Sequence, residues 1–140
     1  MKITNLKLKD FRNMQSLDFS PCGGVNIIYG DNAQGKTNLL EAVWLFTGAK
    51  SFRMAKDGDY LRFGGKRARL SLEFFGDGRE QTAEIVFGGK KSCRLNEIPL
   101  DSAAGLAGKF TGVVFSPVHL SLVKDGPELR RRFLDLAIGQ

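Results

Sequence analysis

Apolar and charged positions alternate over residues 2 to 11, where Ile3, Leu6, Leu8 and Phe11 stand among Lys2, Lys7, Lys9 and Asp10. A period near two predicts a half-exposed strand with basic residues on its wet face. Residues 15 to 20 predict a second strand. Alternation returns in residues 67 to 75, where Ala68, Leu70, Leu72 and Phe74 lie opposite Arg67, Arg69, Ser71 and Glu73. In residues 79 to 88, Ala83, Ile85 and Phe87 align. Gly76-Asp77-Gly78 and Gly88-Gly89 separate these runs from each other and from residues 90 to 95. Three alternating strands joined by short glycine-rich turns predict an antiparallel meander.

Two stretches replace alternation with continuous apolar, β-branched runs. Residues 24 to 29, Gly-Val-Asn-Ile-Ile-Tyr, and residues 111 to 115, Thr-Gly-Val-Val-Phe, predict buried strands. Pro21-Cys22-Gly23-Gly24 turns the chain into the first. Over residues 36 to 47 the period lengthens. Leu39, Val43 and Phe46 recur at i, i+4 and i+7 with Leu40 and Trp44 beside them, so a helix apolar on most sides is expected to pack against a sheet. Gly48 stops it. A single helical turn is expected within 57 to 63, a short helix at 101 to 107, and a turn or short helix from Ser116-Pro117 to Val123. Pro127 opens a final helix running from Leu129 to about Ile138.

Between the first buried run and its helix stands Gly30-Asp31-Asn32-Ala33-Gln34-Gly35-Lys36-Thr37. Glycine, four residues, then Gly-Lys-Thr is the P-loop pattern, and strand, loop and helix is the setting it needs. The glycines let backbone N–H groups converge on one anion. Lys36 brings a point charge to the β- and γ-phosphates, and the Thr37 hydroxyl is a hard oxygen ligand for Mg²⁺. The following helix adds its positive N-terminal dipole. A nucleotide's phosphates and Mg²⁺ are the expected occupants.

Composition narrows the setting. Lys and Arg number 21 against 15 Asp and Glu, a net charge of +6, which suits a polyanionic partner such as nucleic acid as readily as plain solubility. Cys22 and Cys93 form no metal-ligand spacing and read as reduced thiols. His119 is the sole histidine, and without a Ser or Cys nucleophile motif it supports no hydrolase triad. The apolar runs are too short to span a bilayer and the N-terminus lacks a signal-peptide core, so a cytoplasmic location without membrane partners is expected.

Hydrolysis needs more than a P-loop. It also needs an acidic residue at the end of a second strand. Val113-Val114-Phe115 is followed by Ser116, and Phe133-Leu134-Asp135 falls in a predicted helix. Residues 1 to 140 are therefore expected to be the N-terminal part of a larger protein, with no second complete domain and negligible ATPase activity alone.

Several segments together carry a resemblance that covers essentially the whole chain. Leu6-Lys7-Leu8-Lys9-Asp10-Phe11-Arg12-Asn13 resembles the first strand of SMC-type ATPases, and Gly35-Lys36-Thr37-Asn38-Leu39-Leu40-Glu41-Ala42 is the P-loop continuation those proteins share. Gln34, Lys50-Ser51-Phe52-Arg53, Val113-Val114-Phe115-Ser116-Pro117 and Arg130-Arg131-Arg132-Phe133-Leu134-Asp135 resemble the RecF family within that group.

The resemblance implies an α/β fold: the first lobe of an ABC-type ATPase head, a P-loop NTPase with a mixed sheet plus an antiparallel meander, truncated before the helical lobe. It implies an ATP-dependent homodimer that binds DNA at single-strand gaps or junctions and hydrolyses ATP weakly. It also implies action with RecO and RecR in loading RecA during recombinational repair. Residues Gly30 to Asn38 would line the nucleotide, with Thr37 on Mg²⁺. Arg12 and Asn13 would approach it from the first strand, and Arg53 would meet the base or sugar edge, or DNA. Many RecF proteins follow Ser-Pro with two acids. Here Val118 and His119 follow Ser116-Pro117. Other SMC-like ATPases, a small-molecule kinase and a transporter's nucleotide-binding half are the alternatives. The meander supplies no catalytic base behind the loop for the kinase, and the Ser-Phe-Arg and Arg-Arg-Arg segments fit the transporter less well.

Overall fold

The computed structural model of the chain describes residues 1 to 115 together with residues 127, 128 and 131. Among the described residues, six strands form one sheet in the order β2-β1-β3-β4-β5-β6. They are β1 (Lys2–Phe11), β2 (Met14–Phe19), β3 (Ala68–Gly76), β4 (Arg79–Phe87), β5 (Ser92–Leu95) and β6 (Ile98–Leu100). Every pairing is antiparallel. One helix, α1 (Lys36–Leu45), shares a continuous core with the sheet.

Register explains how β1 serves that core. Ile3, Leu6, Leu8 and Phe11 do not keep one parity, yet all belong to the core or pack against it. Ile3 pairs with Phe74 and Asn5 with Glu73, so β1 carries one extra residue there. The extra residue flips the alternation and brings Leu6 opposite Leu72. Asp10, at φ 50°, accompanies the second change of parity, between Leu8 and Phe11. The inner face of β3 and β4 follows simple alternation. Ala68, Leu70, Leu72, Phe74, Ala83, Ile85 and Phe87 are all buried, and α1 adds Leu39, Ala42 and Leu45.

The meander predicted over 67 to 95 is present, with Asp77 and Gly78 both at positive φ in the β3–β4 turn, as a two-residue hairpin requires. β6 was not predicted. Its turn, Asn96-Glu97, also takes positive φ at both positions, but Glu there gives no turn signal and Pro99 argues against a strand. The expected helical pieces at 57 to 63 and 101 to 107 are 3-10 turns, Asp57–Tyr60 and Ala103–Leu106.

Two expectations are corrected. Residues 24 to 29 and 111 to 115 are not buried strands: Val25, Ile27, Tyr29, Val113 and Phe115 are all at least 80% exposed. A strand exists through its ladder, and neither run has a hydrogen-bonded strand neighbour among the described residues. The parallel partners that a mixed P-loop sheet needs are not among the described strands. Ser116 to Val123, with Val118 and His119, lie outside the described residues. Of the predicted final helix, Pro127, Glu128 and Arg131 are helical, and Arg130, Arg132 and the rest lie outside them. No helix among the described residues is long and apolar enough to cross a membrane.

Candidate nucleotide site

The P-loop is held in place by the β1–β2 hairpin. Phe11 pairs with Met14, leaving Arg12 and Asn13 as a two-residue turn with Arg12 at φ 53°. Asn13 reaches the loop: its Nδ2 donates to the Ala33 carbonyl at 3.2 Å, and its Oδ1 accepts from Asn38 Nδ2 at 2.8 Å. Gly35, at φ 100°, sits against the same turn at the start of α1. The positive φ is what favours glycine there; a Cβ would also lie 2.8 Å from Met14 Cε and 2.9 Å from Asn13 Oδ1, so those side-chain ends would have to shift.

The loop fits an anion. No side chain caps α1 and its first turn holds no acid, so the positive end of its dipole has no side-chain counter-charge there. Lys36 Nζ donates to the carbonyls of Gly30 and Asp31, both at 2.6 Å, which keeps a positive charge folded over the loop. Thr37 is exposed in the first turn, and Asp31, Asn32, Ala33 and Gln34 are exposed along the loop. The described residues contain no cluster of His, Cys, Asp and Glu fit to hold a metal. A Mg²⁺ ion would rest on the Thr37 oxygen and on phosphate, the usual sparse ligation for this ion.

Behind the loop lies a residue outside the sequence-predicted site. Glu41 is fully buried, and Arg12 grips it with two hydrogen bonds, Nε to Oε2 at 2.6 Å and an Nη to Oε1 at 2.8 Å. Ser51 Oγ donates to the same carboxylate at 2.5 Å, and an Arg53 nitrogen lies 3.6 Å from it. Arg53 also donates to Asn38 Oδ1 at 2.7 Å. One carboxylate thus ties the hairpin, α1 and the Lys50-Ser51-Phe52-Arg53 loop together. The structure brings Arg12, Asn13, Asn38 and Arg53 into this network, with the Arg12 guanidinium committed to Glu41. Arg12 also lies over the Tyr60 ring at 5.4 Å. Burial, then the nearby Glu41 charge, pushes the Tyr60 hydroxyl up to about 12. The sequence did hold a signal. Glu41 is the single charged residue between Lys36 and Lys50, on a helix otherwise expected to pack, and a buried acid demands cations.

Residues 5 to 119 match the family described as AAA domain. Over its full length the chain is 39% identical to the DNA replication and repair protein RecF of Lachnospira eligens, of which it covers 39%. The chain belongs to the AAA-domain family and is a homologue of RecF. It superposes on the recombination mediator protein RecF of the RecFOR pathway, solved as RecF-ATP, with a TM-score of 0.89 and 34% identity. That match covers 97% of this chain and 38% of the other. The SMC head domain from Thermotoga maritima shares the fold at a TM-score of 0.64 and 24% identity, over 96% of this chain and 56% of that one. The fold is therefore the first lobe of a RecF- and SMC-type ATPase head, and the chain spans under two-fifths of the RecF relative's length.

Proposed function

We propose that residues 1 to 140 form the ATP-binding lobe of a RecF-type ATPase acting on DNA in recombinational repair. The observation that carries this reading is the uncapped start of α1. Gly35 is wedged against the Asn13 turn and Lys36 is folded over the loop carbonyls, in a chain that matches RecF-ATP. Gly30 to Asn38 cradle the phosphates, Thr37 supplies the Mg²⁺ ligand, and Asn13 sets the loop's position. Arg53, exposed and tied to Asn38, is the side chain from the neighbouring loop best able to reach a bound nucleotide or a DNA strand. Arg12 supports the site through Glu41.

In the whole protein this lobe provides half of an ATP site. ATP would join two copies, the dimer would hold gapped or junction DNA in the cytoplasm, and slow hydrolysis would release it. RecO and RecR are the expected partners in loading RecA. The isolated lobe turns over negligibly. The test is titration with a fluorescent ATP analogue and Mg²⁺, comparing wild type with Lys36→Ala. Losing the charged contacts should weaken binding by at least about tenfold. Equal affinity in the two proteins would remove the reading.

A further inference from the structure

Phe63 is completely exposed, at 102%, on a segment that is tightly held. Leu61 bridges Phe11, and Arg62 N donates to the Asp10 carbonyl at 2.9 Å. Gly65 N donates to the Arg62 carbonyl at 2.7 Å and closes the turn, with Gly64 at φ 74°. The ring is thus presented beside the hairpin that positions the P-loop.

From Tyr60 to Arg67 every charged side chain is basic, and Asp10, whose carbonyl accepts from Arg62 N, is the acid beside the segment. Arg62, Lys66 and Arg67 are exposed and have no acidic partner among the described residues. On the outer face of the sheet the pattern differs: Lys7 lies near Asp18 and Glu73, and Arg69 near Glu84. The nearest acids along the preceding loop are engaged. Asp57 holds Lys91 at 3.1 Å, and Asp59 accepts the Lys56 N–H at 2.8 Å.

We propose that Phe63, with Arg62, Lys66 and Arg67, is a contact for a nucleic-acid strand bearing an unpaired base. The ring offers a stacking face and the three cations follow the phosphates. Gly64 and Gly65 carry no side chain to shield the ring, so a flat base can approach. The same glycines and cations leave no apolar rim of the kind a protein socket would pack against. This inference rests on the DNA-acting reading above and assigns that contact to particular residues.

The experiment uses the full-length protein, a labelled single-stranded oligonucleotide and a blunt duplex, with anisotropy read at several salt concentrations. Phe63→Ala should weaken single-strand binding about tenfold and duplex binding less than about twofold, with its melting temperature unchanged. Phe63→Trp should restore single-strand affinity. Replacing Arg62, Lys66 and Arg67 with Ala should lower the single-strand salt slope by roughly two. Wild-type protein that binds no DNA would remove the DNA reading and this contact with it. DNA binding that is intact but indifferent to Phe63→Ala would overturn the contact alone. So would Phe63→Ala disrupting self-association while DNA binding holds, which would mark a protein interface.

Discussion

Ile85 and Ile27 carry the same side chain and end in opposite situations. Ile85 lies in β4 between β3 and β5, fully buried over the core that α1 covers. Ile27, in the run before the P-loop, is 80% exposed. Both segments ask for burial, and only one finds strand partners among the described residues. Hydrophobic pattern reports what a segment needs. Whether the need is met depends on the neighbours the chain brings to it.

The largest expected effect tests that contrast directly. Phe74 is buried and packs edge-on to Phe110 with ring centroids 5.3 Å apart. Phe74→Ala should cost about 3–5 kcal/mol in denaturant unfolding, through lost burial and the cavity left behind. Ile27→Ala in the same 140-residue chain should stay within about 0.5 kcal/mol. A large loss at Ile27 would show that residues 24 to 29 pack after all.

A second contrast sets the buried ion pair against a surface one. Glu41→Gln leaves the Arg12 guanidinium, only 16% exposed, without its counter-charge, and should cost about 3 kcal/mol or more. Asp18→Asn, which removes the exposed Lys7 pairing, should cost less than about 1 kcal/mol. Combining Glu41→Leu with Arg12→Met should be milder than Glu41→Leu alone, because no charge is then stranded. Thermal unfolding of the four variants and of Arg12→Met alone checks the order. Additive losses in the double variant would show that the two side chains act independently.

The legible and illegible parts divide along the same line. β1 to β5 could be read because each pairs with a sequence neighbour through a short turn, and α1 because its own period marks it as a helix, so local pattern and final packing agree. The P-loop was legible as chemistry because its spacing encodes backbone geometry. The neighbours that residues 24 to 29 and 111 to 115 require could not be read from those runs themselves. Glu41 stood out as a lone charge on a packing helix, but the cluster around it did not. Its partners Arg12, Ser51 and Arg53 are distant in sequence, and only folding brings the charges together.

Tyr60 joins the two regions and gives the smallest effect. Its ring stacks on Phe11 at 5.9 Å and meets Phe87 at 4.4 Å on the sheet side, while Glu41 raises its hydroxyl from the site side. The folded protein keeps the Tyr60 proton up to about pH 12, whereas an unperturbed tyrosine loses it near 10.0. The stabilisation is therefore complete below about pH 10 and is lost as pH rises towards 12. Urea midpoints measured between pH 9 and 11 should fall more steeply for wild type than for Tyr60→Phe, which has no proton to lose. Since burial dominates the shift and Glu41 adds to it, the decline in Glu41→Gln should still begin near pH 10 but be smaller and end at lower pH than in wild type. Parallel slopes for wild type and Tyr60→Phe would mean that the hydroxyl is wetter than its surroundings imply, and that the seam between sheet and site is open to solvent.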